Sequence, residues 1–200
     1  GSLGGIMALR DGMCHLAGSH LLDPEDGSYN TSYLRRYLPE RDIRMLTLVH
    51  REQGFIVPRG NPRGIKTIHD LFQDGLMFIN RQAGSGTRVL LDYELSRNSL
   101  DADGIRGYDQ DEYTHMAVAV AVLSGKADTG LGIQSAANAL GLDFVPLVEE
   151  RYDLLIPGEY WDEPMIQAVR EVIDTPLFRE TVERMGGYST RDTGTVQPAA

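Results

Sequence analysis

Two long extended stretches constrain this chain more than any other feature. Residues 43–57 (IRMLTLVHREQGFIV) and 144–156 (FVPLVEERYDLLI) are dense in apolar and β-branched residues and carry no helical period. The first reads as broken at Gly54 and stopped by Pro58. Between them strands and helices alternate: a strand at 75–80, helices at 88–96 and 109–123, a strand at 127–133 and a helix at 134–140. That order predicts an α/β chain of two lobes joined by two crossing strands, with mostly parallel pairing. Lobe one takes 1–52 and 151–200, and lobe two takes 53–150. A cleft between such lobes is where a small ligand is expected.

The flanks are simpler. A short helix is expected over 6–10, preceded by the glycine turn Gly1-Ser2-Leu3-Gly4-Gly5, and another over 31–38, closed by Pro39. Two helices, 164–173 and 176–185, each have a proline at the start. Past Gly186 the apolar period is lost, which predicts a fraying end. In the middle, Asp109 and Glu112 stand in capping-box spacing for the 109–123 helix. The chain opens without Met or a signal-peptide pattern, and reads as cut from something longer. Gly1-Ser2 reads as native or as an expression scar.

Charge and composition narrow the partners. A net charge of −10 on 200 residues repels phosphate backbones, so direct binding to nucleic acid is not expected. No apolar run approaches the roughly 20 residues of a membrane span. Cys14 is the single cysteine, and the five histidines fall at no ligand spacing, so neither a disulfide nor a metal site is expected. Ser85 lacks the Gly-x-Ser-x-Gly frame of an activated serine, and no base–nucleophile pair is legible.

The strongest local signal is Asn80-Arg81-Gln82-Ala83-Gly84-Ser85-Gly86-Thr87-Arg88. It follows a strand and precedes a helix. Its glycines allow close approach of backbone N–H groups, and the helix start adds unpaired donors at a positive dipole end. Ser85 and Thr87 add hydroxyls, and Arg81 and Arg88 add fork-shaped charge. This is an anion-site pattern with Gly86 inside it. The plainer reading is a strand-to-helix turn capped by Ser85. It is neither a phosphate loop ending in Lys nor a dinucleotide fingerprint, because Val89 stands where the third glycine belongs.

Two weaker signals accompany it. The turn around Ser2 repeats the glycine-hydroxyl pattern before a helix, and Thr129 sits in Asp128-Thr129-Gly130 at a strand. The starts at Ser2 and Ser85, one in each lobe, would face one oxyanion across the cleft. Tyr29 and Asn30, in Gly27-Ser28-Tyr29-Asn30, read either as ligand donors or as a plain turn.

The blocks NRQAGSGTR and THMAVAVAVLSGKAD, with GSLGG, HLAGSHLLD, GSYN and LVHREQGFIVPRGNP, resemble the periplasmic-binding-protein-like domain over about residues 1–160. The branch resembled occurs in cytoplasmic proteins, joined to a helix-turn-helix domain or to a molybdopterin-biosynthesis MoeA-type domain. It is similar to the molybdate and tungstate binding proteins of transporters. The resemblance implies a type II fold whose lobes close on the ligand, contacts from Ser2, Ser85 and Thr87, and a role for Arg81. It also implies a strand and helix upstream of GSLGG that this sequence lacks, which would leave a sheet edge open to homodimer formation. The function implied is noncatalytic binding of a small oxyanion or a molybdenum-cofactor-related molecule, with no cofactor, in the sensory part of a regulator or fusion protein. Two alternatives are a metal-inserting enzyme component and an organic-effector sensor of LysR type. For the latter, Tyr29, Tyr108 and Tyr113 would suit a flatter ligand.

Overall fold

The computed structural model describes residues 1–24 and 26–198. The chain divides into two compact units: unit 1 is Gly1–Arg51 with Glu150–Ala200, and unit 2 is Glu52–Glu149. Both divisions fall inside 15-residue strands, β2 (Ile43–Val57) and β6 (Asp143–Pro157). Gly54 does not break β2. A Cβ there would fall on the Val145 carbonyl and lie 2.9 Å from Pro146 Cα. The glycine serves close backbone approach within unit 2, not a chain break.

Unit 1 holds α1 (Ser2–Arg10), β1 (Ala17–Ser19) and α2 (Thr31–Tyr37), then α6 (Pro164–Ile173) and α7 (Pro176–Glu183). Its strands run in the order β1-β6-β2, with β1 antiparallel to β6 and Ser19 opposite Asp153. Leu46, Leu154 and Ile156 pack against Ile166 and Ile173, which stand two turns apart on α6. The first helix starts at Ser2, four residues earlier than expected. GSLGG is therefore the opening turn of α1, not a turn before it, with Gly1 as its N-cap. Each glycine inside a helix costs about 1 kcal/mol; burial of Ile6 and Leu9 outweighs that here.

The expected fraying end is also corrected. Residues past Gly186 form β7 (Tyr188–Ser189) and β8 (Val196–Gln197), both antiparallel to β2, with Ser189 opposite His50 and Val196 opposite Leu46. Polar ties hold this segment, which is why no apolar period announces it. Thr193 Oγ1 donates to the Leu48 carbonyl at 2.6 Å, and Gln197 Nε2 donates to Thr47 Oγ1 at 2.8 Å.

Unit 2 holds β3 (Phe78–Arg81), α3 (Gly86–Arg97), β4 (Asp111–Glu112), α4 (His115–Leu123), β5 (Thr129–Ile133) and α5 (Gln134–Ala139). Residues 68–72 are a 3-10 turn with a Thr67–Asp70 capping box. β5 lies between β2 and β3, antiparallel to the first and parallel to the second, and β4 adds in parallel to β3. The core gathers Phe55, Val57, Ile65, Leu71, Phe78, Leu91 and Leu131. The expectation of mostly parallel pairing is corrected: only β3–β4 and β3–β5 are parallel among the registers β1–β6, β2–β5, β2–β7, β2–β8, β3–β4 and β3–β5. Apolar alternation is the same in both directions, so the sequence pattern carries no strand sense.

The helix expected over 109–123 is shorter. Asp111–Glu112 forms β4 instead, and Thr114 caps α4 by accepting the Ala117 amide at 3.0 Å. Asp109 is therefore no cap. Glu112 pairs with Lys126 at 3.1 Å rather than closing a capping box. Among the described residues no helix is long and apolar enough to cross a membrane.

Candidate functional site

In unit 2, β3 delivers the chain into a glycine turn and α3 begins directly after it. Gly84 adopts φ +78°, a left-handed conformation that glycine takes at little cost. Ser85 is the N-cap, and its Oγ accepts the Arg88 amide at 3.1 Å. The helix thus opens at Gly86, two residues before the expected start. Gly86 and Thr87 become its first two residues, and their amides have no intrahelical acceptor.

Thr87 is the sharpest feature. The residue is 1% exposed and Oγ1 has no hydrogen-bond partner among the described residues. Burying an unpaired hydroxyl costs about 1–3 kcal/mol, so an orphan at a helix N-terminus is unusual. The Ser85 hydroxyl is committed as an acceptor and keeps its proton to donate. Two hydroxyls and two amides therefore gather at the positive end of α3.

Arg81 lies at the end of β3. It is 7% exposed and bonds to protein. Nε donates to the Glu112 carbonyl at 3.1 Å, Nη2 to the Tyr113 carbonyl at 3.1 Å, and Nη1 lies 3.0 Å from His115 Nδ1. It braces the segment from β4 into α4, next to the glycine turn. Arg88 lies over the Tyr108 ring at 4.1 Å and bonds to Asp92 at 3.0 Å. Thr129 is fully buried, and its hydroxyl donates to the Ile56 carbonyl at 2.9 Å. From the start of an interior strand, the hydroxyl ties β5 to β2.

In unit 1, Ser2 is 3% exposed at the first position of α1, and its Oγ accepts the His20 amide at 3.3 Å. Asn30 brackets the chain in this structure. Its Oδ1 accepts the Leu21 amide at 2.9 Å, while Nδ2 donates to the Ser19 carbonyl at 3.2 Å and to Asp153 at 2.9 Å. Those bonds use both amide protons, and they hold the residue in a left-handed conformation, φ 70°. Tyr29 forms a bridge with Leu22, and its carbonyl accepts from Arg151 Nη2 at 3.2 Å. Ser19, which the sequence did not single out, is fully buried with an unpartnered Oγ.

Sequence reasoning also missed a buried charged cluster in unit 1. Arg51 Nε donates to Glu150 Oε1, His20 Nδ1 stands 2.7 Å from Glu150 Oε2, and Arg51 Nη2 is 3.2 Å from His20 Nε2. Arginine only donates, so Nε2 is the acceptor and Nδ1–H faces Glu150. The His20 ring stacks on Tyr152 at 5.2 Å, and the Arg51 guanidinium lies over the same ring at 4.5 Å. Burial alone opposes ionisation of Glu150. The Arg51 charge and then His20 outweigh it and hold the carboxyl down at about 2. The legible signal was charge inside two otherwise apolar strands, since such residues must pair. No group of three metal-ligating side chains is found among the described residues.

A family model described as a PBP superfamily domain matches residues 1–174. The uncharacterized protein YvgK of Bacillus subtilis (strain 168) is 35% identical over 196 residues, which is 98% of this chain and 63% of the relative. The chain thus spans under two thirds of that relative's length. Among solved structures, an ABC-type phosphate transport receptor from Vibrio cholerae aligns with TM-score 0.57 at 15% identity, covering 94% of this chain and 84% of the receptor. A substrate binding domain assigned to a molybdenum ABC transporter from Clostridium difficile aligns with TM-score 0.50 at 17% identity, covering 94% and 83%. At such identities the likeness establishes the fold, which is the mixed α/β fold of type II periplasmic binding proteins.

Proposed function

The chain belongs to the PBP superfamily, and from that membership we propose that it is a noncatalytic binding domain for a small anionic ligand. The observation that carries this reading is the buried, unpartnered hydroxyl of Thr87 at the N-terminus of α3. An anion accepting from that hydroxyl, from Ser85 O–H and from the Gly86 and Thr87 amides would satisfy donors the free chain leaves open. Arg81 supports the turn and adds positive charge beside it.

An oxyanion such as molybdate or tungstate, or a molybdenum-cofactor-related molecule, fits an uncharged donor set of this kind. Two solved structures of the same fold carry phosphate and molybdenum transport in their descriptions. Within a longer protein the domain would sense the ligand in the cytoplasm and pass binding on to an attached helix-turn-helix or MoeA-type domain. Neither a cofactor, nor nucleic acid, nor a membrane is part of this reading; a homodimer is compatible with it.

Titration calorimetry with molybdate, tungstate, sulfate and phosphate tests it. Saturable one-site binding of at least one anion is expected. No heat with any of the four, together with binding of an uncharged organic molecule, would turn the account toward an organic effector.

A further inference from the structure

The buried cluster around Glu150 is hard to explain by stability alone. A buried ion pair gains little over well-packed apolar residues of the same volume, because desolvation consumes the attraction. Here an arginine, a glutamate and a histidine are held 8%, 2% and 7% exposed in unit 1. Gly18 makes room for it: a Cβ at that position would collide with the Tyr152 ring, 2.8 Å from its Cζ. Tyr152 thereby lies flat under both Arg51 and His20.

The guanidinium is fixed on one side only. Nε is bound to Glu150 and Nη2 to His20. Nη1 has no partner among the described residues, and it is not among their fully buried orphan atoms, so it keeps contact with solvent. A rigid guanidinium with one open edge is pre-organised for an oxyanion or a carboxylate. His20 also links it to the start of α1, since its backbone amide donates to Ser2 Oγ at 3.3 Å while its ring accepts from Arg51.

We propose that Arg51 is an anion-binding residue of unit 1, presenting the Nη1 edge of its clamped guanidinium to an anionic group of a small ligand. Glu150, His20 and Tyr152 are positioning residues for it. This inference rests on the anion-binding reading above and concerns residues of unit 1 alone. The anionic group is either the whole of an inorganic oxyanion or the phosphate of a small organic molecule.

The test is calorimetry with phosphate, sulfate, molybdate and glycerol 3-phosphate, using Arg51→Lys and the double variant Arg51→Met with Glu150→Gln. The double variant removes both charges, so it leaves no unpaired ion behind. Ligand-free melting temperatures are recorded alongside. The expected result is a loss of at least tenfold in affinity for the double variant and about three- to tenfold for Arg51→Lys, with at least one of them melting close to the parent. The preferred probe, inorganic or organic, identifies the source of the anionic group. Unchanged affinity in both variants, while Thr87→Val still weakens binding, would leave the anion site standing and make Arg51 purely structural. Failure of both variants to fold without ligand would equally overturn the proposal. No binding of any probe by the parent would overturn both readings.

Discussion

Arg81 Nη1 lies 3.0 Å from His115 Nδ1, and this contact joins the end of β3 to the first residue of α4. Since arginine only donates, His115 Nδ1 is the acceptor, and the imidazole is held in one tautomer. With the bonds to the Glu112 and Tyr113 carbonyls, Arg81 becomes the brace of the β4–α4 turn.

Arg81→Ala should therefore act on stability as well as on binding. Each of these part-buried bonds contributes about 0.5–1.5 kcal/mol, so a total loss of about 1–3 kcal/mol is expected. Urea unfolding without ligand measures it. A variant as stable as the parent would show that the brace is dispensable.

Glu150 sets a pH dependence whose sign follows from its depressed carboxyl. The stabilisation is complete above the ordinary value of 4.5 and is lost as pH falls toward about 2. Melting temperature should drop through that acid window, and Glu150→Gln should flatten the drop. Parallel curves for the two proteins between pH 5 and pH 2.5 would contradict the assignment.

Much of the fold was legible because burial imposes period. The two long strands, and α6 with its proline, stand where apolar spacing placed them. What escaped was decided by polar tertiary contacts. The 109–112 segment looks like a helix start, yet Glu112 pairs in register with Arg81 as a strand, and Thr114 takes the cap. The turn at Ser85 and Thr87 was readable from glycines and hydroxyls. The partners that commit Asn30 and Thr129 elsewhere lie on distant segments, 123 residues away for Asn30–Asp153 and 73 for Thr129–Ile56, beyond any local pattern.

The segment past Gly186 offers a further check. β7 and β8 cover the edge of β2, and Arg179 donates to the Thr190 and Thr193 carbonyls at 2.8 and 3.1 Å. Truncation after Gly186 should cost about 2–4 kcal/mol, a fall in Tm of about 5–15 °C, and expose an edge prone to association. Calorimetric melting and light scattering read both effects. Unchanged melting would mean the two short strands contribute nothing.

The central claim is that the Thr87 hydroxyl is kept for a ligand, and Thr87→Val tests it most directly. The substitution keeps the shape of the side chain and removes a buried hydroxyl that has no partner in the free chain. Without ligand, the variant should be at least as stable as the parent, because no bond is lost and a desolvation cost is removed. Its affinity for the best-bound anion should fall by roughly five- to tenfold, on the order of 1 kcal/mol for one hydrogen bond. Equal stability or a gain, paired with weaker binding in calorimetry, is the predicted result. A variant that loses stability without ligand yet binds every anion as the parent does would contradict the account.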